Sequence, residues 1–241
     1  MKNNRLHIVA AIFAVGMFAS ASTALAIIVN PGDTVNLPGT TFAVEPNLGG
    51  IVLEDELINF SFSANQQATG LITGVVQQRV VRESNTGTLD FYWRISELTS
   101  GSLGYFRIGD FNSTIFDANY RIDGLGSVGP NSITRFMPGM GGATDTFGAN
   151  FNFADYSLTG GNLDTLFAGS ESFFMFLHTD ATSYDKSAFF DVASTGTYTA
   201  SQTFAAFSPT TPVPEPGTMM LLGIGVFGMA VYGKRKMNKK T

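Results

Sequence analysis

The stretch Leu89-Asp90-Phe91-Tyr92-Trp93-Arg94-Ile95-Ser96 decides the fold class. Successive side chains of a strand point to opposite faces, so Leu89, Phe91, Trp93 and Ile95 share one face. Asp90, Tyr92, Arg94 and Ser96 share the other. This period of two predicts a half-buried antiparallel strand, with Tyr92 on the solvent face opposite Trp93. The turn cluster Asn85-Thr86-Gly87 precedes it, as a hairpin requires.

The same pattern recurs outward from there. Ile58-Asn59-Phe60-Ser61-Phe62-Ser63 places apolar side chains on one face and Asn and Ser on the other. Tyr198, Ala200 and Phe204 alternate with Thr197, Thr199, Ser201 and Thr203. Phe173-Phe174-Met175-Phe176-Leu177 is apolar throughout, which predicts a strand covered on both faces. Turn clusters follow at Asp123–Gly126, Gly139–Gly142 and Thr159–Asn162. Leu163, Leu166 and Phe167 match i, i+3, i+4 and predict one helical turn. No repeat or internal boundary divides this region. The expectation is one all-β domain over 27–207, a single antiparallel β-sandwich of jelly-roll type.

The two ends have another character. Lys2 and Arg5 precede an apolar run from Ile8 to Ala19, and Ala24-Leu25-Ala26 follows. Residues 1–26 thus read as a secretory signal peptide, with signal peptidase cutting after Ala26 and small side chains required at Ala24 and Ala26. Residues 208–217 form a Pro-rich linker holding four of the nine prolines, expected to be extended. Within it lies Val213-Pro214-Glu215-Pro216. An apolar segment over 218–233 reads as a short transmembrane helix, and 234–241 is a basic tail led by Lys234, Arg235 and Lys236. Basic residues stop transfer and stay cytoplasmic, so the domain is expected outside and the tail tip inside.

Triplet, apolar helix and basic end, in that order, resemble the PEP-CTERM sorting signal of Gram-negative bacteria and cyanobacteria. The resemblance covers 213–241. It implies removal of the tail by an exosortase-like membrane transpeptidase and delivery of the domain to the cell surface or the exopolysaccharide matrix. It also implies a membrane-held intermediate before processing.

Charge sharpens the contrast between ends and middle. The chain has 241 residues, 14 basic and 19 acidic. Seven of the basic residues lie in the two end segments, which leaves seven against all 19 acidic ones between them, a net charge of −12. Phosphate binding needs clustered Lys and Arg, so no nucleic-acid partner is expected. The chain has no cysteine, which excludes disulfides, a Cys nucleophile and Cys-ligated zinc.

Candidate chemistry in the middle is sparse. His178 has two readings, a polar residue closing a strand, or a catalytic or metal-binding one. No G-x-S-x-G elbow accompanies it. Glu54-Asp55-Glu56 reads as a solvated loop rather than a glycosidase pair. Asp110, Asn112, Asp117, Asn119 and Asp123 space oxygen ligands on alternate positions, as calcium sites do, although Arg121 interrupts the pattern and Asp and Asn also favour turns. Apart from that calcium, no cofactor is expected. Tyr92, with Tyr105, Tyr120 or Tyr156, would offer stacking faces for sugar rings. The leading expectation is a non-enzymatic structural or matrix protein. A lectin-like carbohydrate-binding module is the alternative, and a secreted polysaccharide hydrolase the third.

Overall fold

The structure is a computed structural model that describes residues 25–63, 71–111, 116–136, 148–154, 165–195 and 199–210. The export signal up to Ala24, and everything from 211 onward, including the sorting triplet, the apolar segment and the basic cluster, lie outside the described residues. No helix among the described residues is long and apolar enough to cross a membrane.

Two antiparallel sheets make the fold. The first contains β1 (Ile27–Ile28), β3 (Gly50–Ser63), β4 (Leu71–Glu83), β5 (Leu89–Ser96), β7 (Asp117–Arg121) and β11 (Phe174–His178). Its order is β1-β7-β11-β5-β4-β3. The second contains β2 (Thr34–Asn36), β6 (Ser102–Gly109), β8 (Ser132–Arg135), β9 (Ala149–Asn152), β12 (Ser183–Ser194) and β13 (Phe204–Thr210). Its order is β13-β12-β6-β9-β8-β2, with β10 (Leu166–Phe167) also pairing β6. The expected all-β architecture is present, and β5 has the bounds that its alternation predicts.

The core forms where the inner faces meet. Phe91, Trp93 and Ile95 of β5 and Met175 and Leu177 of β11 come from one sheet. Phe106, Phe151, Phe190 and Val192 come from the other. Trp93 lies 5.8 Å from Phe106, and Phe106 stacks on Phe190 at 5.4 Å. Each such side chain removed from water stabilises the fold by roughly 1.5–3 kcal/mol. The high Phe content therefore supplies the cohesion that disulfides would otherwise add.

A third, thinner layer lies on the other side of the first sheet. After β2 the chain crosses that sheet's outer face as a strap, ending in a 3-10 turn at Pro46–Leu48. Backbone bonds stitch the strap to β7. The Thr40 amide donates to the Tyr120 carbonyl (2.8 Å), and the Ile122 amide to the Thr40 carbonyl (2.9 Å). Leu48 then caps a separate apolar cluster of Val81, Tyr92, Phe174 and Phe176.

This layer corrects one expectation. Tyr92 is on the predicted face but only 4% exposed, because Leu48 covers it and accepts its hydroxyl at 3.4 Å. It offers no stacking platform to a sugar. The covered β11 strand agrees with its uniformly apolar sequence, since Phe174 and Phe176 meet the strap while Met175 and Leu177 meet the core.

Other differences are local. Leu166–Phe167 pairs with β6 as a strand instead of forming a helical turn, because Leu166 fills the core. Strand β13 begins only at Phe204 and continues through Thr210 by pairing with Ser183–Asp185. Pro209 is tolerated there because β13 is an edge strand. Glu54-Asp55-Glu56 lies within β3 rather than in a loop. Each member has a partner: Tyr184 at 2.9 Å, Arg79 at 2.6 Å and Lys186 at 2.5 Å respectively.

Candidate functional site

Of the five residues read as a calcium pattern, the four that are described do not converge on one point. Asp110 is an exposed bend residue with φ of 53°, a turn role open to Asp. Asn112 lies outside the described residues. Asn119 is fully buried and spends its side-chain oxygen on the Gly39 amide at 2.9 Å. Asp123 grips Arg121 through two bonds, at 2.8 and 3.0 Å, and accepts the Phe42 amide at 2.7 Å. The Arg121 bond holds its carboxyl below the usual range. These groups hold the strap in place. Asp117 alone faces elsewhere, across the sheet from His178.

That neighbour marks the chemistry which sequence reading left undecided. His178 ends β11, where it faces Asp90 of β5 on one side and Asp117 of β7 on the other. Residues directly opposite in an antiparallel pair project from the same face. Glu83 ends β4 on that face as well. The tight turn from Ser84 to Thr88 joins β4 to β5, with Gly87 at φ of 76°, a conformation glycine adopts without strain. The turn supplies Thr86 and Thr88, whose hydroxyls donate to Oε2 of Glu83. The Thr179 hydroxyl donates to the Leu89 carbonyl at 2.8 Å, fixing the far end of β11 to the start of β5.

The ligand atoms of Glu83, Asp90 and His178 all lie within 4.8 Å of one another. His178 Nδ1 is 2.7 Å from Asp90 Oδ1 and 3.1 Å from Glu83 Oε1. A ring nitrogen carries a single hydrogen, and the shorter contact takes it. Glu83 Oε1 is therefore close to Nδ1 but has no hydrogen-bond partner, although its side chain is wholly buried. Asp90 is 0% exposed.

These contacts set the protonation states. The hydrogen bond to Asp90 raises the His178 pKa to about 8 against the opposing effect of burial, with help from the charges of Asp90, Glu83 and Asp117. Burial raises the Asp90 carboxyl, and the His178 contact partly offsets it. Burial also raises Asp117 and Glu45. At neutral pH His178 is mainly an imidazolium, surrounded by carboxylates that outnumber it.

A cleft of about 310 Å³ opens over this cluster. Its walls include Leu25, Ala26, Glu45, Glu83, Asp117 and His178. Glu45 Oε1 is buried there without a hydrogen-bond partner, the second such oxygen in one wall. A neighbouring cleft of about 370 Å³ lies over Arg79, Tyr92, Arg121 and Phe174. Its two guanidiniums are already paired with Asp55 and Asp123.

The fold defines a class before any relative does: an all-β protein of two antiparallel sheets with a strapped outer face. Residues 212–236 match the family model described as the PEP-CTERM protein-sorting motif. The match spans the Pro-Glu-Pro triplet, the apolar segment and the first basic residues, so the chain carries this sorting motif at its C-terminal end. No curated protein and no solved structure matches the chain.

Proposed function

We propose that this is an exported protein whose C-terminal tail is removed by an exosortase-like transpeptidase. Its β domain is then delivered to the cell surface or the exopolysaccharide matrix, where it has a structural, non-enzymatic role. The observation that carries this reading is the sorting motif at 212–236, preceded by an edge strand that ends at Thr210. The motif begins two residues after that strand, and its three prolines at 212, 214 and 216 are residues that a helix interior does not accept.

A structural role suits the domain's construction. A continuous aromatic core provides cohesion without disulfides, and an acidic surface favours solubility. Intact-mass measurement of the protein from cells with and without the transpeptidase tests the proposal. The expected result is loss of the leader up to Ala26 and of the basic tail from Lys234 onward in normal cells, and retention of that basic tail without the enzyme. A tail kept in normal cells overturns it.

A further inference from the structure

We propose that Glu83, Asp90 and His178 form a binding site for one divalent transition-metal ion of the zinc class, entered from the cleft beneath the strap. Three independent strands deliver the ligands, so the site belongs to the fold and not to a mobile loop. The hydroxyls of Thr86 and Thr88 orient Glu83 from its far oxygen, and metal sites need such outer support. Its near oxygen, Oε1, is left buried and without a hydrogen-bond donor, 3.1 Å from His178 Nδ1. An unsatisfied buried carboxylate oxygen is destabilising, and a bound metal ion would satisfy it. Glu45 Oε1, also buried without a donor, lines the same cleft.

The donor set selects the ion. Calcium and magnesium prefer all-oxygen shells, whereas an imidazole nitrogen with two carboxylates suits zinc and its first-row neighbours. The ligand atoms now stand 2.7 and 3.1 Å from Nδ1. A zinc tetrahedron with bonds near 2.0–2.1 Å has edges of about 3.3 Å, so the two contacts at Nδ1 need lengthen by roughly 0.6 and 0.2 Å. The ion takes the place of the Nδ1 hydrogen, which leaves as a proton. Asp117, across the sheet from His178, or a water from the cleft completes the shell.

The test uses the full exported chain without a polyhistidine tag. His178 is then its only histidine, because His7 lies in the leader. Titration with Zn²⁺ by calorimetry should give one site with proton release, and the His178 ring signals should shift in NMR spectra. His178→Ala and Glu83→Gln should each weaken binding about 10-fold or more, since loss of even an outer support costs that much. Asp55→Asn, on β3 and away from the cleft lining, should leave it unchanged. Because His178→Ala could unfold the chain, the near-isosteric Glu83→Gln and the unmodified protein's ring signals decide in that event. Absent Zn²⁺ binding, binding unaffected by Glu83→Gln, or displacement of Zn²⁺ by equimolar Ca²⁺ each overturns the proposal.

Discussion

The two faces of strand β5 follow opposite rules. The inner face, with Phe91, Trp93 and Ile95, is wholly apolar and packs against a second sheet. The outer face, with Asp90, Tyr92 and Arg94, is polar in sequence yet equally buried. On the inner side burial follows from hydrophobicity. On the outer side it is imposed by the strap, and the polar side chains of β5 there are held by partners. Asp90 takes His178, Tyr92 takes the Leu48 carbonyl and Arg94 takes Glu171. Burial without hydrophobicity produces perturbed charges, and perturbed charges are where chemistry concentrates.

The largest effect should come from the inner face. Trp93→Ala removes the largest core side chain and should cost about 3–5 kcal/mol in urea unfolding. A loss under 1 kcal/mol would break the contrast, because the inner face would then not hold the sheets together. On the outer face, Leu48→Ala should cost about 2 kcal/mol, at the lower end for a buried leucine, because its cluster is small. It should also expose Tyr92, read as a small blue shift in the near-ultraviolet tyrosine difference absorbance.

The pH dependence separates the faces further. The His178 pKa is about 8 in the folded state, above the value near 6.5 for an unfolded chain. The folded state holds the proton more tightly, so this contribution is complete below pH 6.5 and lost as pH rises through 8. It amounts to at most about 2 kcal/mol, measured as denaturation midpoints across pH 6–9 with chelator present. His178→Ala should flatten that window. A profile unchanged by the substitution would detach the charge cluster from stability. The smallest effect is expected for Tyr92→Phe, about 0.5 kcal/mol, since its hydroxyl's contacts with the Leu48 carbonyl and the Asp90 carboxyl are each 3.4 Å long.

Sequence reading succeeded where the signal was local. Alternation located β5 and the second half of β3, an unbroken apolar run located the doubly covered β11, and the turn at Asn85–Gly87 is a hairpin turn. It misjudged Tyr92 because periodicity assigns a face but does not say what lies over it. The strap carries no periodic signal of its own, and Asn119 and Asp123, spaced like calcium ligands, serve to hold it.

The candidate site was half legible. Glu83 and Asp90 flank one short turn, so their proximity follows from the hairpin. His178 reaches them only through the register of β11 against β5, 88 residues away in sequence, which no local pattern encodes. The sorting motif was legible because the order of its parts along the chain is itself the signal.

The position of Leu25 and Ala26 in the wall of the acidic cleft has a consequence for maturation. If the leader is cut after Ala26, both residues leave with it and the cleft loses a wall. Ile27, held in place by its pairing with Ala118, then bears a new α-ammonium next to the space that Ala26 vacates. A neutral amide would give way to a titratable cation with a usual pKa near 8, close to Glu45. Precursor and exported protein would share the fold and the three strand-borne groups but not the wall of the cleft above them.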